Sequence, residues 1–224
     1  MNFRITLCYL FVLLPLLPFA QDFQRLDVPF FNEGVEQNLA LVGGLSTPRI
    51  SNVDLNNDGL LDVYVLDKYG NVQLTFLSDG TQYHFRPEYL AHFPVLKDWV
   101  LLRDYNQDGI MDIFAASNSG TPGTAGIEVH TGYYENQMLK FNKAYFPDKP
   151  FDMLHMNNTV GQVYSSIVDI PAIDDIDCDG DLDIISFGVG GGRASFFQNQ
   201  SVEAGYGLDS LIFNFIKISP TDFL

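Results

Sequence analysis

Hydrophobic and polar positions alternate along most of the chain in short stretches that predict β-strands. Three stretches rich in β-branched and aromatic residues, VYVLD, IFAAS and IISFG, each end in polar or glycine-containing residues, as strands do. Glycine turns with rough alternation follow in GNVQLTFLSDG, GIEVHTGYYENQ and GGRASFFQNQS, and aromatic segments come next in QYHFRPEYL, MLKFNKAYF and LIFNFIKIS. The pattern predicts an all-β chain made of repeated units of about four short strands.

A nine-residue polar segment separates the first two predicted strands of each unit. It reads DLNNDGLLD at residues 54–62, DYNQDGIMD at residues 104–112 and DIDCDGDLD at residues 175–183. Every copy has an acidic or amide side chain at positions 1, 3, 5 and 9 and glycine at position 6. A single copy is often only an Asx-rich turn, so the repetition is what favours metal binding.

Calcium fits this spacing because it takes about six to eight oxygen ligands in flexible geometry, whereas magnesium demands a stricter octahedron. The predicted ligands are the side chains at positions 1, 3, 5 and 9 and the backbone carbonyl at position 7. They are Asp54, Asn56, Asp58, Leu60 and Asp62; Asp104, Asn106, Asp108, Ile110 and Asp112; and Asp175, Asp177, Asp179, Asp181 and Asp183. Glycine at position 6 would permit a turn at positive φ. The sequence thus predicts about three calcium ions.

The residues after each loop distinguish between calcium-binding families. A helix-loop-helix hand needs glutamate at position 12, where it binds the ion with both oxygens. Position 12 is Val65, Ala115 and Ser186 here, and a strand follows each loop. The helical calcium-binding hand is therefore excluded.

The D-x-[DN]-x-D-G-x-x-D loops, the strand after each loop and the later GGRASFFQN segment resemble the VCBS and FG-GAP repeats of integrin-α-like β-propellers. The resemblance implies a seven-bladed propeller of four-stranded antiparallel blades, whose calcium loops lie together on one rim. It also implies recognition of proteins or glycans elsewhere on the domain. We expect this propeller segment at residues 39–224, after a lead-in at residues 21–38.

The spacing of the loops predicts an incomplete ring. First aspartates fall at Asp54, Asp104 and Asp175, so the second unit is longer, with extra surface residues expected in TPGTAG or FPDKPFDMLHMNNTVGQ. The chain has room for about three to four blades, whereas propellers typically have about four to eight. We therefore expect truncation at the C terminus, with further blades or domains in a longer chain.

The N-terminal residues 1–20 have the layout of a cleavable signal peptide. Arg4 precedes an apolar run that ends near Pro18 and Ala20. This run is shorter than the roughly 20 residues that cross a bilayer. We expect cleavage after Ala20, a secreted or cell-surface protein without membrane insertion, and Cys178 as the one remaining cysteine, hence no internal disulfide.

The net charge narrows the range of partners. With 28 acidic and 12 basic residues the formal charge is −16, which argues against nucleic acid and anionic membrane surfaces. An unidentified extracellular protein or glycan is the expected partner, and Trp99, Tyr133 and Tyr134 are candidates for stacking on sugar rings.

The acidic residues favour a non-catalytic role, and the resemblance implies that this role is adhesion or recognition. They follow metal-loop spacing, whereas paired catalytic carboxylates need environments that separate their pKa values. The histidines lack the spacing of a zinc motif, and GVGGGR fits a hairpin turn better than a phosphate loop. The alternative is the propeller domain of an extracellular polysaccharide-active enzyme whose catalytic part is not in this chain.

Overall fold

The computed structural model describes residues 29–37, 43–117, 125–147, 149, 152–188 and 192–217. The predicted signal peptide and half of the predicted lead-in lie outside these residues. The chain separates into two compact units, residues 1–37 and residues 38–224. In the first unit, β1 (Phe31–Asn32) pairs antiparallel with β2 (Val35–Glu36). Both turn residues between them have positive φ, as in the tight turns of β-hairpins.

Three four-stranded antiparallel sheets form the second unit. The first contains β3 (Pro48–Val53), β4 (Asp62–Asp67), β5 (Val72–Ser78) and β6 (Tyr83–Phe85). The second contains β7 (Val100–Arg103), β8 (Asp112–Ala116), β9 (Ile127–Glu135) and β10 (Met138–Lys143). The third contains β11 (Ala172–Asp174), β12 (Asp183–Phe187), β13 (Ala194–Asn199) and β14 (Phe213–Ile216).

Each sheet has the arrangement expected of a propeller blade. Its strands follow one another in chain order, and none of the described sheets closes on itself. Each nine-residue loop joins the first strand of a sheet to the second. The residue before the loop pairs with the aspartate at position 9, as in Val53 with Asp62 and Arg103 with Asp112. The predicted all-β fold with blades of four strands is confirmed.

The predicted fourth strand of the first sheet is shorter than its aromatic pattern indicated. β6 ends at Phe85, and the segment Pro87–His92 forms a 3-10 helix instead. Pro87 lacks the backbone N–H that a strand would donate, so the ladder of hydrogen bonds stops before it. The rest of QYHFRPEYL therefore leaves the ladder of strands, and Tyr89 and Leu90 pack against the core beside it.

The extra residues of the second repeat, between Asp104 and Asp175, lie in the connections that contain the two predicted segments. One is the connection between β8 and β9, and the other is the long connection from Lys143 to Ala172. The prediction of a surface loop is wrong for part of this connection, because Met153 and Leu154, within FPDKPFDMLHMNNTVGQ, are completely buried. The backbone N–H of Leu154 donates to the carbonyl of Ile127, which fixes this segment against β9.

Two hydrophobic cores lie on opposite faces of the second sheet. The core shared with the first sheet consists of Val53, Leu55, Tyr64, Leu66, Phe93, Leu96, Val100, Leu102, Ile113, Ala115 and Leu139. The core shared with the third sheet consists of Trp99, Tyr105, Phe114, Ala116, Ile127, Val129, Leu154, Val163, Ile173, Ile184, Phe197 and Phe213. Alternate residues of β8 enter alternate cores, as the period of a strand requires.

Trp99 belongs to the second of these cores and is 0 % exposed. Its ring Nε1 donates to the backbone carbonyl oxygen of Ser166 at 3.0 Å. A buried tryptophan normally pairs its N–H in this way. The prediction that Trp99 stacks on a sugar ring is therefore wrong, since no face of the indole reaches the surface.

Candidate metal centre

The three loops share one backbone geometry, which is set by the aspartate at position 1. Its Oδ2 accepts the N–H of the glycine at position 6, at 2.8 Å in the first loop, 2.9 Å in the second and 3.1 Å in the third. Its Oδ1 accepts the N–H of position 5 at 3.3, 3.1 and 3.2 Å. The glycines Gly59, Gly109 and Gly180 have φ of 82°, 85° and 103°. Positive φ at position 6 is confirmed in every loop.

Position 4 also has positive φ, which the sequence analysis missed. Asn57, Gln107 and Cys178 have φ of 58°, 57° and 66°. Only Asn57 carries a signal for this conformation, because asparagine visits the left-handed region more readily than most residues. Each loop therefore contains two residues with left-handed backbone, at positions 4 and 6.

The aspartate at position 9 fastens the loop to the third strand of its own sheet. Asp62, Asp112 and Asp183 are completely buried. Oδ2 of each accepts the N–H of position 2, at 2.8, 3.0 and 3.2 Å. Oδ1 accepts a backbone N–H of the sheet's third strand, from Ser78, Gly132 or Asn199. We call this arrangement the position 9 clasp.

Burial governs the ionisation of the clasp aspartates. Burial raises the pKa of Asp112 and of Asp183 to about 6, although the backbone N–H donors partly oppose it. The pKa of Asp62 is raised for the same reason. A buried carboxylate gains from a nearby cation, because the cation compensates for the lost hydration.

In the first two loops the amide at position 3 faces the carboxylate at position 5. Asn56 Nδ2 donates to Asp58 Oδ2 at 2.8 Å, and Asn106 Nδ2 donates to Asp108 Oδ2 at 3.0 Å. A half-turn of either amide would direct its oxygen toward the same point. The donor set would then consist of hard oxygens only, which suits calcium.

The third loop has the densest group of ligand atoms. Asp177 replaces the amide at position 3, and Asp175, Asp177 and Asp179 each offer a carboxylate oxygen within 4.8 Å of the others. The Oδ2 atom of Asp179 is buried and has no hydrogen-bond partner. The residues present therefore fit a calcium ion, and they fit it best in the third loop.

Neighbouring loops and sheets are in direct contact. Gln107 Nε2 of the second loop donates to the carbonyl of Gly180 in the third at 2.8 Å. The hydroxyl of Tyr134 on β9 donates to the carbonyl of Asp54 at 2.8 Å, and the backbone N–H of Leu139 donates to Leu55. The second and third loops thus lie side by side, and the first loop lies against the hairpin of β9 and β10.

Glu203 is a candidate ligand that the nine-residue pattern could not reveal. It belongs to the connection between β13 and β14, and one of its oxygens lies within 4.8 Å of oxygens from Asp179 and Asp181. Gln198 on β13 donates to both Asp177 and Glu203. The Asp181 side chain joins this group, whereas the sequence predicted only its backbone carbonyl as a ligand. Burial raises the pKa of Asp181 to about 6.

The histidines lie in separate surroundings. His84 Nε2 contacts Asp79 at 2.8 Å, and His155 Nδ1 contacts the carbonyl of Met153 at 2.7 Å. His130 is buried beside Glu128, which also accepts from Lys143 at 3.0 Å. His92 ends the 3-10 helix. Residues 189–191, within the GVGGGR segment, lie outside the described residues.

The described residues form no helix that has both the length and the apolar character to cross a membrane.

Comparison with known proteins gives one match. A model of the FG-GAP-like repeat matches residues 54–115, from the first aspartate of the first loop to the second strand of the second sheet. The comparisons with curated proteins and with solved structures returned no match. The matched segment contains the first two nine-residue loops. The resemblance seen in the sequence is thus confirmed over residues 54–115, which match an FG-GAP-like repeat, and the three four-stranded sheets are consistent with blades of a β-propeller.

Proposed function

We propose that the chain is a secreted, calcium-binding β-propeller repeat protein that serves adhesion or recognition of an extracellular protein or glycan and is not catalytic. One observation carries the proposal. The same loop geometry occurs three times, in a segment that matches the FG-GAP-like repeat and in the sheet after it. FG-GAP repeats commonly bind calcium and are typical of extracellular domains.

Electrostatics explains why such loops would need a cation. The first loop carries three carboxylates, from Asp54, Asp58 and Asp62; the last is completely buried, and the charges of the other two contribute to its raised pKa. Like charges this close repel one another, and a bound calcium would supply the compensating positive charge. Because the position 9 clasp links each loop to the third strand, binding would stabilise three strands of the sheet together.

One feature of the sequence supports an extracellular role. Residues 1–20 have the layout of a signal peptide. With Trp99 buried, the exposed aromatic residues become the candidates for ligand contact. They include Tyr69, Tyr145 and Tyr206, which are 84 %, 73 % and 66 % exposed. Flat exposed rings of this kind suit sugars and protein side chains equally.

Calorimetric titration of the purified protein with calcium tests the proposal. Asp58→Ala and Asp108→Ala should each lower the number of bound ions by about one per chain. Asp79→Ala is the matched control, because Asp79 lies outside every loop and should leave the number unchanged. Unchanged numbers in the two loop variants would show that the loops are ordinary turns. Turnover of an acidic polysaccharide by the purified chain would contradict the non-catalytic role.

A further inference from the structure

The connection between β13 and β14 brings a second set of acidic ligands to the third loop. The backbone N–H of Val202 donates to Asp181 Oδ2 at 3.1 Å, which anchors this connection on the loop. Gln198 and Gln200 both donate to Oε1 of Glu203, each at 3.1 Å. These contacts hold the Glu203 carboxylate beside the loop, although some twenty residues separate it from the loop in sequence.

One oxygen of the buried Asp181 carboxylate has no hydrogen-bond partner. The residue is 1 % exposed, and its Oδ1 atom has no hydrogen-bond partner. A buried polar group without a partner destabilises the fold, and a buried charge does so more strongly. Asp179, Asp181 and Glu203 each offer one carboxylate oxygen, and these atoms lie within 4.8 Å of one another. The buried carboxylate that carries the orphaned oxygen thus belongs to a group spaced for a cation.

This group differs from the ligand set predicted for the nine-residue loops. In that set position 7 contributes a backbone carbonyl, and the other two loops have Leu60 and Ile110 there, whose side chains cannot bind metal. Glu203 lies outside the loop altogether. The third loop therefore has a ligand group that the nine-residue pattern does not describe.

Charge distinguishes the third loop as well. It gathers six carboxylates, from Asp175, Asp177, Asp179, Asp181, Asp183 and Glu203. The first and second loops have three each, at positions 1, 5 and 9. With one divalent cation bound, the third loop would still carry more net negative charge than either neighbouring loop carries without a cation. Repulsion among close carboxylates makes a second cation favourable.

We propose that the third loop binds two divalent cations, the second of them held by Asp179, Asp181 and Glu203. Asp179 contributes to both groups and so bridges the two ions. All the ligands are carboxylate oxygens, and calcium accepts such ligands in a less regular geometry than magnesium does. The first of these two ions rests on the calcium binding proposed above, whereas the second rests on the orphaned Asp181 oxygen.

Counting bound calcium in the purified full-length chain tests this inference. Equilibrium dialysis at saturating calcium, with metal analysis of the protein, gives the number of ions per chain. Asp179→Asn should lose two ions, whereas Asp58→Asn and Asp108→Asn, at the same position of the other loops, should each lose one. Asp181→Asn and Glu203→Gln should each lose one. Asp209→Asn, with the same charge change in the same connection, should lose none.

Each outcome has a distinct meaning. Equal losses of one ion in all three position 5 variants, with none lost in Asp181→Asn or Glu203→Gln, would overturn the second cation and leave the loop sites intact. A chain that binds no calcium would overturn both proposals. Asp181→Asn keeps an acceptor for Val202, and circular dichroism checks its fold. If that buried variant fails to fold, Glu203→Gln decides the matter, because residue 203 is exposed.

Discussion

Gln107 reaches from the second loop to the third and donates its side-chain Nε2 to the backbone carbonyl oxygen of Gly180 at 2.8 Å. The two residues occupy different positions of their loops, since Gln107 is at position 4 and Gly180 is at position 6. The contact therefore joins the turn of one loop to the turn of the next. It ties together two sheets that also share a hydrophobic core and a hydrogen bond from Arg103 to the carbonyl of Ile173.

Removing this contact should weaken the fold modestly. We expect Gln107→Ala to lower the free energy of unfolding by about 1 kcal/mol, the net value of one hydrogen bond. Urea denaturation in calcium measures the change. Gln107→Asn separates contact from conformation, because asparagine tolerates the positive φ of 57° but is one methylene shorter. If Gln107→Asn is as stable as the wild type, the contact contributes nothing.

Gly132 should tolerate no side chain. A Cβ atom there would lie 2.3 Å from the backbone oxygen of Met111, and the Gly132 N–H also donates to Asp112. Gly132→Ala should therefore destabilise the protein by about 3 kcal/mol, since backbone cannot move aside cheaply. Gly192→Ala is the control, because a Cβ atom there meets nothing within 4 Å. Equal melting temperatures for the two variants would contradict the close approach.

The position 9 clasp should stabilise the fold even without metal. Asp112→Ala leaves the buried N–H groups of Tyr105 and Gly132 without their acceptor, so we expect a loss of roughly 2 to 5 kcal/mol in both calcium and EDTA. Asp108→Ala at position 5 should matter mainly in calcium, because its side chain is at the exposed side of the loop. Urea denaturation of Asp112→Ala and Asp108→Ala, in calcium and in EDTA, distinguishes a structural role of the side chain from a role in binding calcium. If Asp112→Ala lowers the free energy of unfolding in calcium but not in EDTA, the position 9 aspartate acts only as a metal ligand and does not stabilise the empty loop.

Calcium should raise the stability of the whole second unit. If a site binds with a dissociation constant one hundredfold below the free calcium concentration, linkage adds about 2.7 kcal/mol per site. The melting temperature in EDTA should accordingly be lower than in millimolar calcium, and Asp58→Ala should narrow the difference. Coincident melting curves in the two solutions would refute calcium binding by the folded state.

The buried Glu128 should make stability fall in acid. Burial alone would raise its pKa, but hydrogen bonds from His130 and Lys143 together outweigh burial and hold the pKa below its ordinary value of 4.5. A lowered folded-state pKa means that the stabilisation is complete above about pH 4.5 and is lost as the pH falls through the folded value. Glu128→Gln should flatten this part of the pH profile. Urea unfolding between about pH 3 and 6 measures it, and parallel profiles would contradict the assignment.

The elements that depend on short-range spacing were predictable. The positions of Asp54, Asp104 and Asp175 located all three loops, and the stretch after each loop located the second strand of each sheet. Glycine at position 6 indicated positive φ because only glycine adopts it without a steric cost. The same local pattern led to the repeat family that the comparison confirmed over residues 54–115.

The features that depend on distant contacts were not predictable. Glu203 meets Asp181 only because the connection between β13 and β14 folds over the loop. Met153 and Leu154 looked like loop residues, yet the edge of β9 and the adjacent core bury them. Trp99 looked available for sugars because a single tryptophan gives no sign of which face of a strand it occupies. Burial of this kind is decided by packing between sheets.

The alternation of β8 between two cores limits how this chain can change in length. Ile113 and Ala115 enter the core shared with the first sheet, and Phe114 and Ala116 enter the core shared with the third. Inserting or deleting one residue here would exchange the two sets, so a single event would disturb both cores at once. By contrast, the long connection between β10 and β11 has exposed stretches, such as the one around Val160, where added residues would extend into solvent. The difference in length between the repeats thus lies where the architecture tolerates it.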